Sequence, residues 1–212
     1  MKPDIPKPPD SIIVGHSNQK SSDIQEIPVE SFISHKDYGL DEITGISRKN
    51  DIALLKLGRP IKFDETVVPI CLPSEGSDIQ EQLILTGWGF DDTATRSKPD
   101  ILQELDLTHV PLEDCSKDFA QALNKPSLML RDTIVCGAGK LDISDGCGGD
   151  SGGPLIQQIT NSIEDGSEIP QFETIGVVSG GDAQCIGRVP GLYTKVSEYI
   201  PWIEDFVYNN RL

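Results

Sequence analysis

The sequence predicts an all-β protein, a barrel or a sandwich, on three observations. Short apolar runs of four to six residues recur along the chain, each bounded by Gly, Pro, Asn or Asp, the pattern of short strands separated by turns. Helical periodicity is scarce before the C-terminus. Gly 20 and Pro 15 supply the turns such a fold needs. The 212 residues suit one all-β domain as well as two smaller ones, and either way a sizeable core is within reach.

The elements follow in chain order. Pro3 to Pro9 reads as an extended tail. Strands are expected at 11–14, 28–33, 52–57, 83–86, 105–110, 174–178 and 192–196. A helix is expected over 113–123, after Pro111, with Phe119, Ala120 and Leu123 on one side. A second is expected over 198–210, with Ile200, Ile203, Phe206 and Val207 on one face and Pro201 in its first turn. The acidic stretch 161–168 reads as a solvated loop.

Charge excludes several functions. Asp+Glu 34 against Lys+Arg 18 gives a net charge of −16. A nucleic-acid partner requires a basic face, and so does docking on anionic lipid. No apolar run has the length of a membrane span, and residues 1–10 hold no apolar core of a signal peptide. The five cysteines, Cys71, Cys115, Cys136, Cys147 and Cys185, form no Cys-x-x-Cys and no Cys/His cluster. A metal is therefore not expected. Widely spaced single cysteines point to disulfides and an oxidising compartment, with one cysteine left over. An extracellular cysteine pattern without a signal peptide raises the expectation that the sequence begins downstream of the true N-terminus.

One segment carries chemistry: Asp145-Gly146-Cys147-Gly148-Gly149-Asp150-Ser151-Gly152-Gly153-Pro154. Glycines around a serine let the backbone turn sharply and let N–H groups converge on one point. Converging donors of this kind hold an oxyanion in acyl transfer. Taken alone, Gly-x-Ser-x-Gly is equally an ordinary glycine-rich turn. The nucleophile elbow of α/β-hydrolases is rejected, because that fold needs a histidine after the serine. The only histidines, His16, His35 and His109, all precede Ser151.

Residues 147–155 resemble the nucleophile segment of the trypsin/chymotrypsin family of serine proteases. Three further segments are similar to that family in order and spacing: Asn50-Asp51-Ile52-Ala53-Leu54-Leu55, Leu85-Thr86-Gly87-Trp88-Gly89, and Pro190-Gly191-Leu192-Tyr193-Thr194-Lys195-Val196 with Tyr199-Ile200-Pro201-Trp202-Ile203. The resemblance implies two six-stranded antiparallel Greek-key barrels, the first truncated, and a C-terminal helix. Residues 1–10 would be the tail, about 11–75 the partial first barrel, about 76–196 the second, and about 197–211 the helix. It implies Ser151 as nucleophile, Asp51 as the carboxylate that orients a catalytic histidine, and the N–H groups of Gly149 and Ser151 as the oxyanion hole. Asp150 would pair with the amine freed by zymogen cleavage. Asp145 would form the base of the specificity pocket and favour Arg or Lys before the scissile bond. Gly181 and Gly191 would leave the pocket walls open, and Ser179 would lie beside Asp51. The implied disulfides are Cys115–Cys136 and Cys147–Cys185. Cys71 would tether a propeptide or clip chain, as in the clip-domain proteases of arthropods, which this sequence resembles most. The family needs no cofactor and is secreted; its partners are protein substrates and inhibitors of the serpin type.

The sequence departs from the family at several points. No Thr-Ala-Ala-His-Cys segment precedes Asp51, and none of the three histidines is expected to act as base. Ser11-Ile12-Ile13-Val14-Gly15 follows no Arg or Lys, and only 35 residues separate Gly15 from Asp51, too few for the missing strands and histidine loop. The chain is thus expected to start inside the first barrel and, as written, to be inactive. Gly146 stands where Ser or Ala is usual, and Gly180 where an aromatic is usual. Three readings remain open: a secreted trypsin-like endopeptidase in incomplete form, a non-catalytic homologue that binds within a proteolytic cascade, and, more weakly, a decayed or alternatively started product with no role.

Overall fold

The computed structural model describes residues 7–42, 45, 48–74, 76–90, 97–139, 148–162, 168–181 and 189–209. The strands are β1 (Ser11–Val14), β2 (Gln25–Ser34), β3 (Gly39–Leu40), β4 (Arg48–Lys49), β5 (Ala53–Leu57), β6 (Gln82–Gly87), β7 (Gln103–Val110), β8 (Ile134–Gly139), β9 (Pro154–Ser162), β10 (Glu168–Gly180) and β11 (Gly191–Lys195). Helix α1 (Leu112–Ala122) lies between β7 and β8, and a 3-10 turn (Val196–Tyr199) leads into α2 (Ile200–Asn209).

Six strands close into one antiparallel barrel in the order β10-β11-β8-β7-β6-β9. Closure falls between β6 and β9, where Ile84 faces Ile156 and Leu85 faces Leu155. A closed barrel leaves no free strand edge. Its interior is filled by Leu83, Leu85, Leu107, Val135, Leu155, Ile175 and Tyr193. Burying each aliphatic side chain contributes up to about 1.5–3 kcal/mol. Tyr193 sets the glycine pattern around it. A Cβ on Gly176 would come within 2.9 Å of the Tyr193 Cβ, and one on Gly191 within 2.8 Å of its hydroxyl.

The N-terminal half forms an open three-stranded sheet, β1-β2-β5, and the β3-β4 hairpin. It is a partial barrel at most among the described residues. The chain joins this sheet at Asp10, whose carbonyl accepts from the Val29 N–H at 3.0 Å.

An 11-residue helix such as α1 is marginal in isolation. Here Cys115 and Phe119 dock it against Leu128, Leu130, Ile134, Cys136, Val189 and Leu192. Cys115 and Cys136 are bonded to each other. Ser116, 2% exposed, is satisfied on both sides: its hydroxyl donates to the Leu112 carbonyl at 2.7 Å and accepts from the Leu130 N–H at 3.1 Å.

Some elements depart from the sequence expectation. Helix α2 proper begins at Ile200 rather than 198, after the 3-10 turn. Residues 161, 162 and 168 pair in the β9–β10 ladder instead of forming a loop, with Glu168 opposite Ser162. The long antiparallel ladder satisfies these backbone groups, which outweighs the polar composition.

Candidate active site

Asp51 sits in a turn between the two halves of the molecule. Asn50 before it adopts φ 52°, a left-handed conformation that asparagine tolerates. The Asn50 side chain locks the turn from two directions. Its Nδ2 donates to the Asp37 carbonyl at 2.9 Å, and its Oδ1 accepts from the Tyr199 hydroxyl at 3.0 Å. The Thr194 hydroxyl donates to the Asp51 carbonyl at 2.9 Å. The Ser179 hydroxyl donates to the Asp51 carboxylate at 2.7 Å. The carboxylate is therefore positioned mainly by the closed barrel, although it is carried by the open sheet.

Burial pushes the Asp51 carboxyl above the ordinary carboxylate range; the Ser179 hydrogen bond and the nearby Arg48 charge pull it partly back. A carboxyl raised in the folded state holds its proton longer than in the unfolded chain. Its contribution to stability is thus most favourable below the unfolded pKa and declines as pH rises through the folded pKa. Asp51→Asn is expected to melt higher than wild type at pH 7. The difference should vanish below about pH 4, where both states are protonated. Thermal melts of both proteins across pH 3–8 check this.

Ser151 follows Gly149 at φ 110° and precedes Gly152 at φ 83°, two positions that glycine alone occupies without strain. Gly152 N–H donates to the Val178 carbonyl, and Val178 N–H to the Gly153 carbonyl, both at 2.9 Å. These bonds tie the serine loop to β10. Asp150 ties it to the opposite side: the Gly89 N–H donates to its carboxylate at 2.8 Å. Any Cβ on Gly87 or Gly89 would overlap that carboxylate, so the Gly-Trp-Gly turn is shaped around it.

Asp51, Ser151, Gly152 and Ser179 line one cavity of about 640 Å³, together with Phe32 and Leu55 of the open sheet. The tail residues Lys7, Pro8 and Pro9 line it too. None of the three histidines does. His16 accepts from the Asn18 N–H at 2.9 Å in a surface turn. His35 packs edge-on against Tyr199 and at a tilt against Trp202, with ring centroids 5.6 and 5.2 Å apart. His109 lies on β7, where burial holds it below the usual imidazole range. Gly181 backs onto Gly191: a Cβ on Gly181 would meet the Gly191 Cα at 3.3 Å, whereas among the described residues nothing lies within 4 Å of where a Gly180 Cβ would be. Asp145, Cys147 and Cys185, with Gly146, lie outside the described residues. Cys71 is a free, exposed thiol beside Gln171. Among the described residues no group of His, Cys, Asp and Glu is arranged to hold a metal, and no helix is long and apolar enough to cross a membrane.

Sequence reasoning did not reach the positioning residues Asn50, Thr194 and Tyr199 as parts of the site. Nor did it reach Phe90 and Lys98, which flank the serine loop. Only Asn50, adjacent to Asp51, carries a local signal: a residue type suited to a left-handed turn.

A closed antiparallel barrel with a glycine-flanked serine and a serine-held aspartate in one cavity defines a serine-hydrolase class of protein. The Trypsin family model matches residues 7–203, and the chain belongs to that family of serine proteases. It is similar to CLIP domain-containing serine protease B4 of Anopheles gambiae, 35% identical over 189 residues, covering 86% of this chain and 47% of the relative. It is also similar to phenoloxidase-activating factor 3 of Holotrichia diomphalia, 37% identical over 185 residues, covering 86% and 48%. The chain thus spans about half the length of the curated relatives it matches. Among solved structures it is similar to neuropsin, a serine protease expressed in the limbic system of mouse brain. That match has a TM-score of 0.71 and 26% identity, and covers 92% of this chain and 77% of the other.

Proposed function

We propose that this chain is a trypsin-like endopeptidase domain that binds polypeptides with Arg or Lys before the scissile bond, and that on its own it does not turn them over. One observation carries the reading: Ser151 and Asp51 line the same cavity, with the Asp51 carboxylate held by Ser179, and no histidine of the chain lines it. Ser151 is the nucleophile, and its N–H and that of Gly149 receive the oxyanion. Asp51 awaits an imidazole to orient, and Asp145 takes the cationic side chain of the substrate. Without a base the serine proton has no acceptor. In a comparable Ser-His-Asp enzyme, loss of the histidine costs about 10⁶-fold in turnover.

The purified 212-residue chain is expected to remain unmodified by a fluorophosphonate over hours, read as intact mass. A stoichiometric adduct on Ser151 would overturn the inactivity. The histidine-free cavity also favours a second reading, a regulatory binding module within a proteolytic cascade. Cys71, exposed and unbonded, is proposed to tether a propeptide or clip chain through a disulfide. The buried Cys115–Cys136 bond fits secretion. Inhibitors of the serpin type are the partners expected of a complete enzyme.

A further inference from the structure

The Asn50 side chain, which sets the turn before Asp51, is held by two groups, and His35 touches the residue behind each. The Asp37 N–H donates to His35 Nδ1 at 3.2 Å, and the Asp37 carbonyl accepts from Asn50 Nδ2 at 2.9 Å. The His35 ring meets the Tyr199 ring edge-on, 5.6 Å between centroids, and the Tyr199 hydroxyl donates to Asn50 Oδ1 at 3.0 Å. His35, Asp37, Asn50 and Tyr199 thus form a closed circuit of contacts. The backbone of His35 joins the chain on the far side of Asp51, where its N–H donates to the Ile52 carbonyl at 3.1 Å. One residue therefore braces both neighbours of Asp51. Trp202 of α2 packs on the imidazole at a tilt of 56°, so the C-terminal helix supports the brace. Asn50 needs one: φ 52° is costly for a residue with a Cβ and persists only where its surroundings hold it.

We propose that His35 is a positioning residue for Asp51: it stays outside the cavity and fixes, through Asn50, how the Asp51 carboxylate enters it. The proposal rests on the reading that Asp51 orients an imidazole for Ser151. Ser179 holds one carboxylate oxygen of Asp51 and Thr194 holds its carbonyl. Neither bond governs the peptide ahead of Asp51, which is left to Asn50. Of the two contacts His35 makes to this circuit, the one to Asp37 is the harder to replace. Tyr199 is 4% exposed and has its own packing, whereas Asp37 lies on the surface and among the described residues its N–H has only Nδ1 to bond. That bond runs from residue i+2 back to the side chain of residue i, the geometry of an Asx turn. An asparagine at 35 would keep the acceptor and give up the ring. A phenylalanine would keep a ring on Tyr199 and Trp202 and give up the acceptor.

The test supplies the missing base as free imidazole, for which a cavity of about 640 Å³ has room. The readout is the rate at which a fluorophosphonate labels Ser151 with and without imidazole, followed as intact mass. In that step Ser151 Oγ bonds to phosphorus, fluoride leaves, and the imidazole takes the hydroxyl proton. Imidazole is expected to accelerate labelling of the wild-type chain, and Asp51→Ala to abolish the acceleration. His35→Phe is expected to reduce it about tenfold, since a misplacement of about 1 Å can cost about 100-fold. His35→Asn should keep it. In an Asn50→Ala background His35→Phe should change nothing further, because the effect runs through Asn50. An acceleration equal in wild type and His35→Phe, or an equal loss in His35→Phe and His35→Asn, overturns the positioning role and leaves the reading of Asp51 and Ser151 standing. No acceleration in the wild type, or the same acceleration in Asp51→Ala, overturns that reading and the role of His35 with it.

Discussion

Arg131→Ala is expected to lower the stability of the fold by about 2–3 kcal/mol, a value toward the low end for breaking a buried ion pair because one partner is half-exposed. For a domain of this size that is a fall in Tm of about 5–10 °C, measurable by differential scanning calorimetry. Asp41 is 2% exposed, yet it carries a carboxylate. Arg131 grips it with two bonds, Nε at 3.0 Å and an Nη at 3.2 Å. Removing the guanidinium takes away the two charge-assisted bonds that this buried carboxylate receives from it. Asp41→Asn should cost less, because the guanidinium it leaves behind has a side chain 39% exposed and can recover water. The two residues lie 90 positions apart and join the N-terminal half to the loop before β8. Asp51 is held across the same junction by Ser179 and Thr194. Arg131→Ala is therefore also expected to loosen the cavity, read as weaker binding of an Arg peptide. Equal losses for Arg131→Ala and Asp41→Asn would argue against this account.

Loss of the Cys115–Cys136 bond is the second large expected effect. The bond closes a loop with a sequence separation of 21, which in the chain-entropy model corresponds to about 3 kcal/mol. Both cysteines are at most 1% exposed and pack with Phe119, Leu128 and Leu192. Truncating them to alanine adds lost packing, so Cys115→Ala with Cys136→Ala should cost about 3–5 kcal/mol. Denaturant unfolding of the double variant checks the figure. Helix α1 should be affected first, since without the staple its 11 residues are held mainly by Phe119 and the Ser116–Leu130 hydrogen bond. A midpoint within experimental error of wild type would mean that helix docking alone carries this region.

The strands that alternate cleanly were readable from the chain. Residues 83–86 and 105–110 place Leu83, Leu85 and Leu107 on one side, and those side chains fill the barrel. Strand β9 was not readable, for a specific reason. It places Gln157, 1% exposed, where the pattern asks for an apolar residue. The side chain is tolerated because every polar atom finds a distant partner: its Oε1 accepts from the Gln80 N–H at 2.8 Å, and its Nε2 donates to the Asp78 carbonyl at 3.1 Å and to Glu173 at 2.6 Å. Strand β8, Ile134–Gly139, escaped because its two glycines read as turn residues. Gly137 is instead needed where Leu107 and Tyr193 approach its backbone within 3.4 Å of a would-be Cβ.

The same division runs through the site. The order of residues alone determined the all-β class, the glycine-flanked serine, the absence of a histidine after it, and the family. Each of these is a local pattern or a count, and neither depends on how the chain packs. What the tertiary structure decided is which side chains meet. Ser179 reaches Asp51 across 128 positions, Arg131 reaches Asp41 across 90, and the Gly89 N–H reaches Asp150 across 61. Lys98 meets Gly149 across a similar gap. Contacts at such separations leave no periodicity in the chain, because barrel closure and the junction of the two halves create them.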